Sequence, residues 1–174
     1  MKTLWKQAGC ILFAVALLLS GTPAKAQDPP PQGGFKNPYL SVNKSGKVVL
    51  TYSRWSEQVK PGTCTLVSFW ASWSEESREE VPFVQAVYQQ YAGKVKVLGV
   101  PFGDEIQDSM DAMAEWGIKY PQLVDVDEDL AGPFDFDSIP FIVLLGPDGK
   151  EIARNLHGEG ILEAVEEALK GVSR

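Results

Sequence analysis

Residues 69–82 read F-W-A-S-W-S-E-E-S-R-E-E-V-P, and they join an apolar strand to the start of a helix. The preceding run, T-L-V-S-F at 65–69, has the length and apolar content of a buried strand. The serines that follow are typical of a helix N-cap, and the acidic side chains complement the positive end of the helix dipole. We therefore predict a helix capped by Ser72 or Ser74, with Ser72 and Glu75 at capping-box spacing.

Strands and helices alternate through the rest of the chain. Predicted strands lie at residues 39–42, 47–51, 63–69, 94–100, 122–126, 141–145 and 151–154, and predicted helices at 54–59, 74–91, 104–116 and 161–169. The turn sequences N-K-S-G at 43–46 and G-P-D-G at 146–149 predict a hairpin at each end of the domain. This order predicts an α/β domain with a central mixed sheet flanked by helices on both faces.

The first 26 residues are typical of a secretory signal peptide. Lys2 and Lys6 give a positive start, an apolar run covers 11–19, and A-K-A at 24–26 is a small-x-small cleavage site. The run is shorter than the ~20 apolar residues that cross a bilayer as a helix. We expect an exported, periplasmic protein with no membrane span in its mature chain.

The mature chain is expected to contain a flexible Pro/Gly-rich tether at residues 27–38 and one domain at 39–174. The whole chain has 16 basic and 23 acidic residues, and removing residues 1–26 takes away three lysines and no acids, which leaves a net charge of −10. Nucleic acids and anionic membranes attract clusters of Lys and Arg, so we expect neither as a partner.

The acidic run D-V-D-E-D at 125–129 does not have the spacing of a calcium-binding EF-hand. Leu130 and Phe136 stand where that loop requires Gly and Glu. We expect a solvated acidic loop here, and we expect no metal and no cofactor for the protein.

Three local features resemble the thioredoxin-like family, and within it the exported thiol-disulfide oxidoreductases of the TlpA/ResA type. W-S-E-E-S at 73–77 stands where those proteins have W-C-x-x-C, Pro82 follows where they kink the helix, and S-I-P at 138–140 resembles their cis-proline loop. The resemblance runs from about Tyr39 to Leu169. It implies a thioredoxin-like fold with an additional N-terminal β-hairpin.

The resemblance also implies which positions carry the family's redox dithiol, and here they hold Ser74 and Ser77. The family's reaction needs a thiolate activated at a helix N-terminus and a second thiol three residues on. A serine oxygen cannot exchange with a disulfide. Glu75 and Glu76 also replace the family's usual Gly-Pro, and paired acids would raise the pKa of a neighbouring thiol. We therefore assign no catalytic residue at these positions.

The loop at Ile139 and Pro140 carries a second implication of the resemblance. In the family it faces the dithiol, has a cis X-Pro bond and pairs by its backbone with an extended client peptide. That contact needs no sulfur, so Trp73, Ile139 and Pro140 are the candidate residues of a groove for an exported protein or peptide. Alternatively, the turn only preserves the fold. The oligomeric state is left open.

After signal cleavage Cys64 would be the only cysteine, so no intramolecular disulfide could form. Its place at the start of the central strand favours an inert buried thiol. Two functional hypotheses follow: a binding protein without dithiol chemistry, or a thiol-disulfide oxidoreductase or peroxidase-like enzyme that acts through Cys64. A third possibility, that Ser74 and Ser77 were engineered from cysteine, is disfavoured by the intact signal segment and by Glu75-Glu76.

Overall fold

The computed structural model describes residues 36–172. The predicted signal peptide and residues 27–35 of the predicted tether lie outside the described residues. Within them, the strands are β1 (Asn37–Val42), β2 (Val48–Ser53), β3 (Cys64–Trp70), β4 (Val95–Pro101), β5 (Gln122–Leu123), β6 (Phe141–Leu145) and β7 (Glu151–Ala153). The helices are α1 (Trp55–Gln58), α2 (Glu75–Gln90), α3 (Ile106–Glu115) and α4 (Glu159–Val172), with a 3-10 turn at Gly132–Phe134.

Most element boundaries agree with the predicted ones within a few residues. β1 begins at Asn37, so Asn37 and Pro38, which the sequence analysis placed in the tether, lie in the sheet. β5 is shorter than predicted: two residues pair regularly, and Asp125 adds one isolated bridge to Phe102. At the G-P-D-G turn the Gly149 N–H donates to the Gly146 carbonyl (2.9 Å), the hydrogen bond of the predicted four-residue turn.

The seven strands form one mixed sheet in the order β2-β1-β5-β4-β3-β6-β7. β3 lies in its centre, parallel to β4 and antiparallel to β6. The N-terminal hairpin is an addition at one edge, because β1 pairs with β2 on one side and with β5 on the other. A mixed sheet, flanking helices and an added hairpin are the predicted fold class.

Two apolar clusters cover the two faces of the sheet, and every residue of β3 is buried between them. The three long helices α2, α3 and α4 all pack on one face. The other face is covered by the short α1, the 3-10 turn and the chain beside it. Helices therefore flank both faces, as predicted, but the division is unequal. Burial on both faces explains why β3 is a continuous apolar run without alternation.

A buried hydrogen-bond network fixes the end of β3 nearest the helix start. The Trp70 indole N–H donates to the Gln122 side-chain oxygen (2.8 Å), and the Gln122 amide donates to the Tyr120 carbonyl (2.8 Å). Gly99 on β4 leaves room for this amide, since a Cβ at that position would overlap it. The network holds the strand end that leads into α2.

No helix in residues 36–172 is long and apolar enough to cross a bilayer.

Candidate functional site

The junction of β3 and α2 places Ser74 and Ser77 at the N-terminus of the helix. Ser74 is the N-cap, and its Oγ accepts the Ser77 backbone N–H at 3.0 Å. Both side chains are buried, with 4% of Ser74 and 2% of Ser77 exposed. Ser77 Oγ has no hydrogen-bond partner within the described part of the chain. Ser74 therefore stabilises the helix start, whereas the Ser77 hydroxyl is buried and makes no hydrogen bond within residues 36–172.

Ser72 does not act as a cap, and the predicted capping box with Glu75 is wrong. Its backbone N–H donates to Asp104 Oδ2 (2.8 Å) and its hydroxyl to Asp104 Oδ1 (3.0 Å). β3 and β4 are parallel neighbours, so the loops after them meet at the same edge of the sheet, and the carboxylate ties one loop to the other. Burial raises the pKa of the Asp104 carboxyl, while the hydrogen bonds from Ser72 lower it in part.

The two glutamates after Ser74 have different partners. Glu75 Oε2 lies 3.7 Å from Arg78 Nη1. This ion pair is exposed to solvent and therefore contributes little to the stability of the fold. Glu76 Oε2 accepts the Ser74 hydroxyl at 3.3 Å, so one carboxylate lies directly against the N-cap oxygen. A thiolate at this position would meet that negative charge.

A groove of about 660 Å³ lies between α2 and the loop before β6. The peptide bond between Ile139 and Pro140 in this loop is cis. The groove is lined by residues 135–141, by side chains of the first turns of α2 and by residues that follow β7: Glu76, Glu79, Glu80, Asp135, Phe136, Asp137, Ser138, Ile139, Pro140, Phe141, Arg154, Asn155 and His157. Its volume lies within the range of ligand sites in proteins.

The structure brings together two of the three predicted groove residues. Ile139 and Pro140 line the groove, whereas Trp73 is not among the lining residues. Trp73 is 70% exposed, the largest exposed fraction among the large apolar side chains of residues 36–172. It stands beside the helix start as a free aromatic surface.

The groove wall is acidic, a feature that was not among the predictions from the sequence. Glu76, Glu79 and Glu80 have the i, i+3, i+4 spacing of one helix face, a signal that was available in the sequence. Asp135 and Asp137 face them from a segment more than fifty residues away, and that proximity depends on the folded sheet.

A family model described as thioredoxin-like matches residues 62–151, from just before β3 to the first residue of β7. The chain belongs to the thioredoxin-like family. The thiol-disulfide oxidoreductase ResA of Bacillus subtilis is 24% identical over 92 residues, which cover 52% of this chain and 51% of ResA. The chain therefore matches about half the length of that relative.

Solved structures with the same fold superpose on most of the chain. The thioredoxin domain of a thiol-disulfide oxidoreductase from Bacteroides vulgatus superposes with a TM-score of 0.62 at 21% identity, covering 83% of this chain and 97% of that domain. StoA from Bacillus subtilis gives a TM-score of 0.55 at 20% identity, covering 73% and 92% of the two chains. At these identities the likeness is one of fold. In this thioredoxin-like domain Ser74 and Ser77 are the residues at the start of the helix that follows the central strand.

Cys64 lies at the opposite end of β3 from this site. It is 2% exposed, and burial raises the pKa of its thiol. A buried thiol with a raised pKa is a poor nucleophile at neutral pH. The structure does not bring Cys64 to the groove.

The acidic loop after β5 differs from the predicted solvated loop at its first residue. Asp125 is fully buried, and its carboxylate accepts the backbone N–H groups of Leu130 (3.1 Å) and Ala131 (2.9 Å). These two bonds offset the cost of burying the carboxylate, and burial raises its pKa. The expectation that the whole run is solvated is therefore wrong for Asp125, although the three acids at 127–129 are exposed.

Proposed function

We propose that this thioredoxin-like protein is exported, has no dithiol redox activity and binds extended protein or peptide segments in the groove beside Pro140. The observation that carries the proposal is the N-terminus of α2, where two buried serines occupy the helix start and one of them is the cap. Thiol-disulfide exchange requires a sulfur that attacks and a sulfur that leaves. Neither can be supplied by Ser74 and Ser77.

The groove supports retained binding. Ile139 and Pro140 lie at its wall immediately before β6, where an added extended segment can meet both backbone groups and apolar side chains. The proposal of export rests on residues 1–26 of the sequence. The acidic groove wall and the net charge of the mature chain both disfavour a nucleic acid as the occupant.

The alternative is an oxidoreductase or peroxidase-like activity through Cys64. Nothing observed in residues 36–172 favours this activity, because Cys64 is buried at the end of β3 that lies away from the helix start. Its thiol is both inaccessible and, through burial, held in the protonated form at neutral pH.

Binding is tested by titrating isotope-labelled protein with cysteine-free extended peptides and following backbone amide shifts by NMR. The proposal expects shift changes concentrated at 135–141 and the first turns of α2. Ser138→Trp, which places a bulky ring in the groove, is expected to remove them, whereas Ser45→Trp at the exposed hairpin turn is the matched control.

Trp73→Ala separates the exposed aromatic ring from the groove, with Tyr52→Ala on β2 as its control, since Tyr52 is 60% exposed. Shift changes that persist unchanged in Ser138→Trp would place binding elsewhere and sink the groove hypothesis. Saturating amounts of every peptide without any shift change would sink the binding proposal itself.

A further inference from the structure

We propose that the groove selects extended segments that carry lysine or arginine side chains. This inference rests on the proposed function and adds the chemical class of the ligand. It is carried by the shape of the groove, the charges on its two walls and the contacts of the basic side chains already present there.

The groove has an apolar floor and a polar rim. Phe136, Ile139, Pro140 and Phe141 line it from the loop and from the start of β6, and the Phe136 and Phe141 rings are stacked with centroids 4.7 Å apart. A floor of this kind suits the methylene stems of long basic side chains, which pack on apolar surface while the charged end reaches outward.

The two facing walls carry acids that have no cationic partner among residues 36–172. Glu76 and Glu79 project from α2, and Asp135 and Asp137 lie on the opposite loop. All four residues are exposed. Glu76 has a hydrogen bond with the Ser74 hydroxyl, which leaves its charge uncompensated. Carboxylates on both sides of a cleft reinforce one another, because the low-dielectric walls focus their field into the space between.

The two basic side chains of the groove are already engaged. Arg154 donates to the carbonyls of Phe134 (2.8 Å) and Asp135 (3.2 Å). Its Nε lies 3.4 Å from Glu151, and its guanidinium lies over a phenylalanine ring of the floor. His157 Nδ1 is 3.2 Å from Glu80 Oε1. Arg154 therefore has Glu151 as its ion-pair partner, and Glu80 is in hydrogen-bond contact with His157. The four exposed carboxylates of the walls have no ion-pair partner of their own in residues 36–172.

The same arrangement argues against a bound metal ion as the cationic ligand. In residues 36–172 no three side chains of the metal-ligating types converge closely enough to hold one. Glu76 and Glu79 lie on one wall and Asp135 and Asp137 on the other, so basic side chains of an extended segment can meet carboxylates on both sides of the groove. An extended segment places alternate side chains on one face at about 6.6–7 Å, since each strand residue rises by about 3.3 Å.

The test uses three fluorescein-labelled, cysteine-free peptides of about nine residues with alternating valine, in which the intervening positions are lysine, glutamine or glutamate. Fluorescence anisotropy with the purified protein gives the three dissociation constants. We expect the lysine peptide to bind about tenfold tighter than the glutamine peptide and the glutamate peptide to bind weakest. The preference is expected to shrink when salt rises from about 20 to about 200 mM, because screening shortens the range of the interaction.

Two triple variants with the same change in net charge locate the effect. Glu76→Gln/Glu79→Gln/Asp137→Asn is expected to abolish the preference for the lysine peptide. The control, Asp111→Asn/Glu115→Gln/Glu163→Gln, neutralises one aspartate and two glutamates on α3 and α4 and is expected to retain it. Equal loss in both triple variants would assign the effect to overall charge and overturn the inference.

The remaining outcomes separate this inference from the proposed function. Equal affinity for the three peptides, lost in Ser138→Trp, would overturn the charge selectivity and leave groove binding in place. No binding of any peptide would overturn both.

Discussion

Ser74 and Ser77 both lie at the start of α2, yet only the replacement of Ser74 by alanine is expected to lower the free energy of unfolding. Ser74→Ala removes the oxygen that accepts the Ser77 N–H at 3.0 Å. Loss of a serine N-cap costs about 0.5–2 kcal/mol of folding free energy. Here the N–H left without a partner belongs to a residue that is 2% exposed, so water cannot readily replace the oxygen. We expect a loss of about 1.5 kcal/mol.

Ser77→Ala removes a hydroxyl that is buried and has no partner in residues 36–172. Burial of an unpaired hydroxyl costs about 1–3 kcal/mol by mutational data. Its removal relieves that cost and leaves a space smaller than a methyl group. The free energy of unfolding is therefore expected to stay unchanged or to rise by about 1 kcal/mol.

Urea unfolding followed by tryptophan fluorescence measures both changes. With an m-value of about 2 kcal/mol/M, Ser74→Ala is expected to lower the midpoint by about 0.7 M, whereas Ser77→Ala leaves it unchanged or raises it. Ser74→Thr retains a capping hydroxyl and serves as the matched control, with less than half of the loss. Equal losses in the two alanine variants, or a larger loss at Ser77, would refute the assignment of Ser74 as the structural cap.

Three further outcomes follow from other contacts. Gly99→Ala is expected to lower the free energy of unfolding by about 2–3 kcal/mol, because a Cβ displaces the Gln122 amide from the Trp70 indole. A double-mutant cycle with Gln122→Ala, measured by urea unfolding, should show a coupling energy of about 0.5–3 kcal/mol. Native Cys64 is expected to react with a thiol reagent at least about 100-fold more slowly than in urea, as measured by stopped-flow absorbance, since reaction requires opening of the strand. Burial raises the pKa of Asp104 in the folded protein above its ordinary value of 3.8. The stability that comes from its protonated form is therefore complete below pH 3.8 and is lost as the pH rises through the pKa of the folded protein. Urea unfolding should therefore show Asp104→Asn gaining stability relative to wild type over that interval, and a constant difference would contradict the raised pKa.

Much of the fold was predictable because its signals are local. The apolar run before residue 70 indicates β3. The serines and glutamates after residue 73 indicate the N-cap and the start of α2. Gly149 closes its turn as predicted, since the turn chemistry lies within four residues. The largest boundary shifts, of three residues, are at the end of β5, where only two residues pair regularly, and at the end of α4, which continues to Val172.

The site was only partly predictable because its decisive contacts are between distant segments. Ser72 has good capping chemistry, but Asp104, 32 residues further on, takes both its N–H and its hydroxyl. Asp125 has the appearance of a solvated acid, yet two backbone N–H groups from its own loop allow it to be buried. The acidic groove needs Asp137 beside α2, which no local pattern could indicate.

The proposed absence of dithiol chemistry is tested most directly by insulin reduction driven by dithiothreitol. The wild-type protein is expected to add no turnover above the reagent alone. Ser74→Cys/Ser77→Cys, which supplies two sulfurs at the helix start, is expected to add turnover. Wild-type turnover that disappears in Cys64→Ala would contradict this expectation, because it would place a working redox thiol in a protein that is proposed to bind its clients without one.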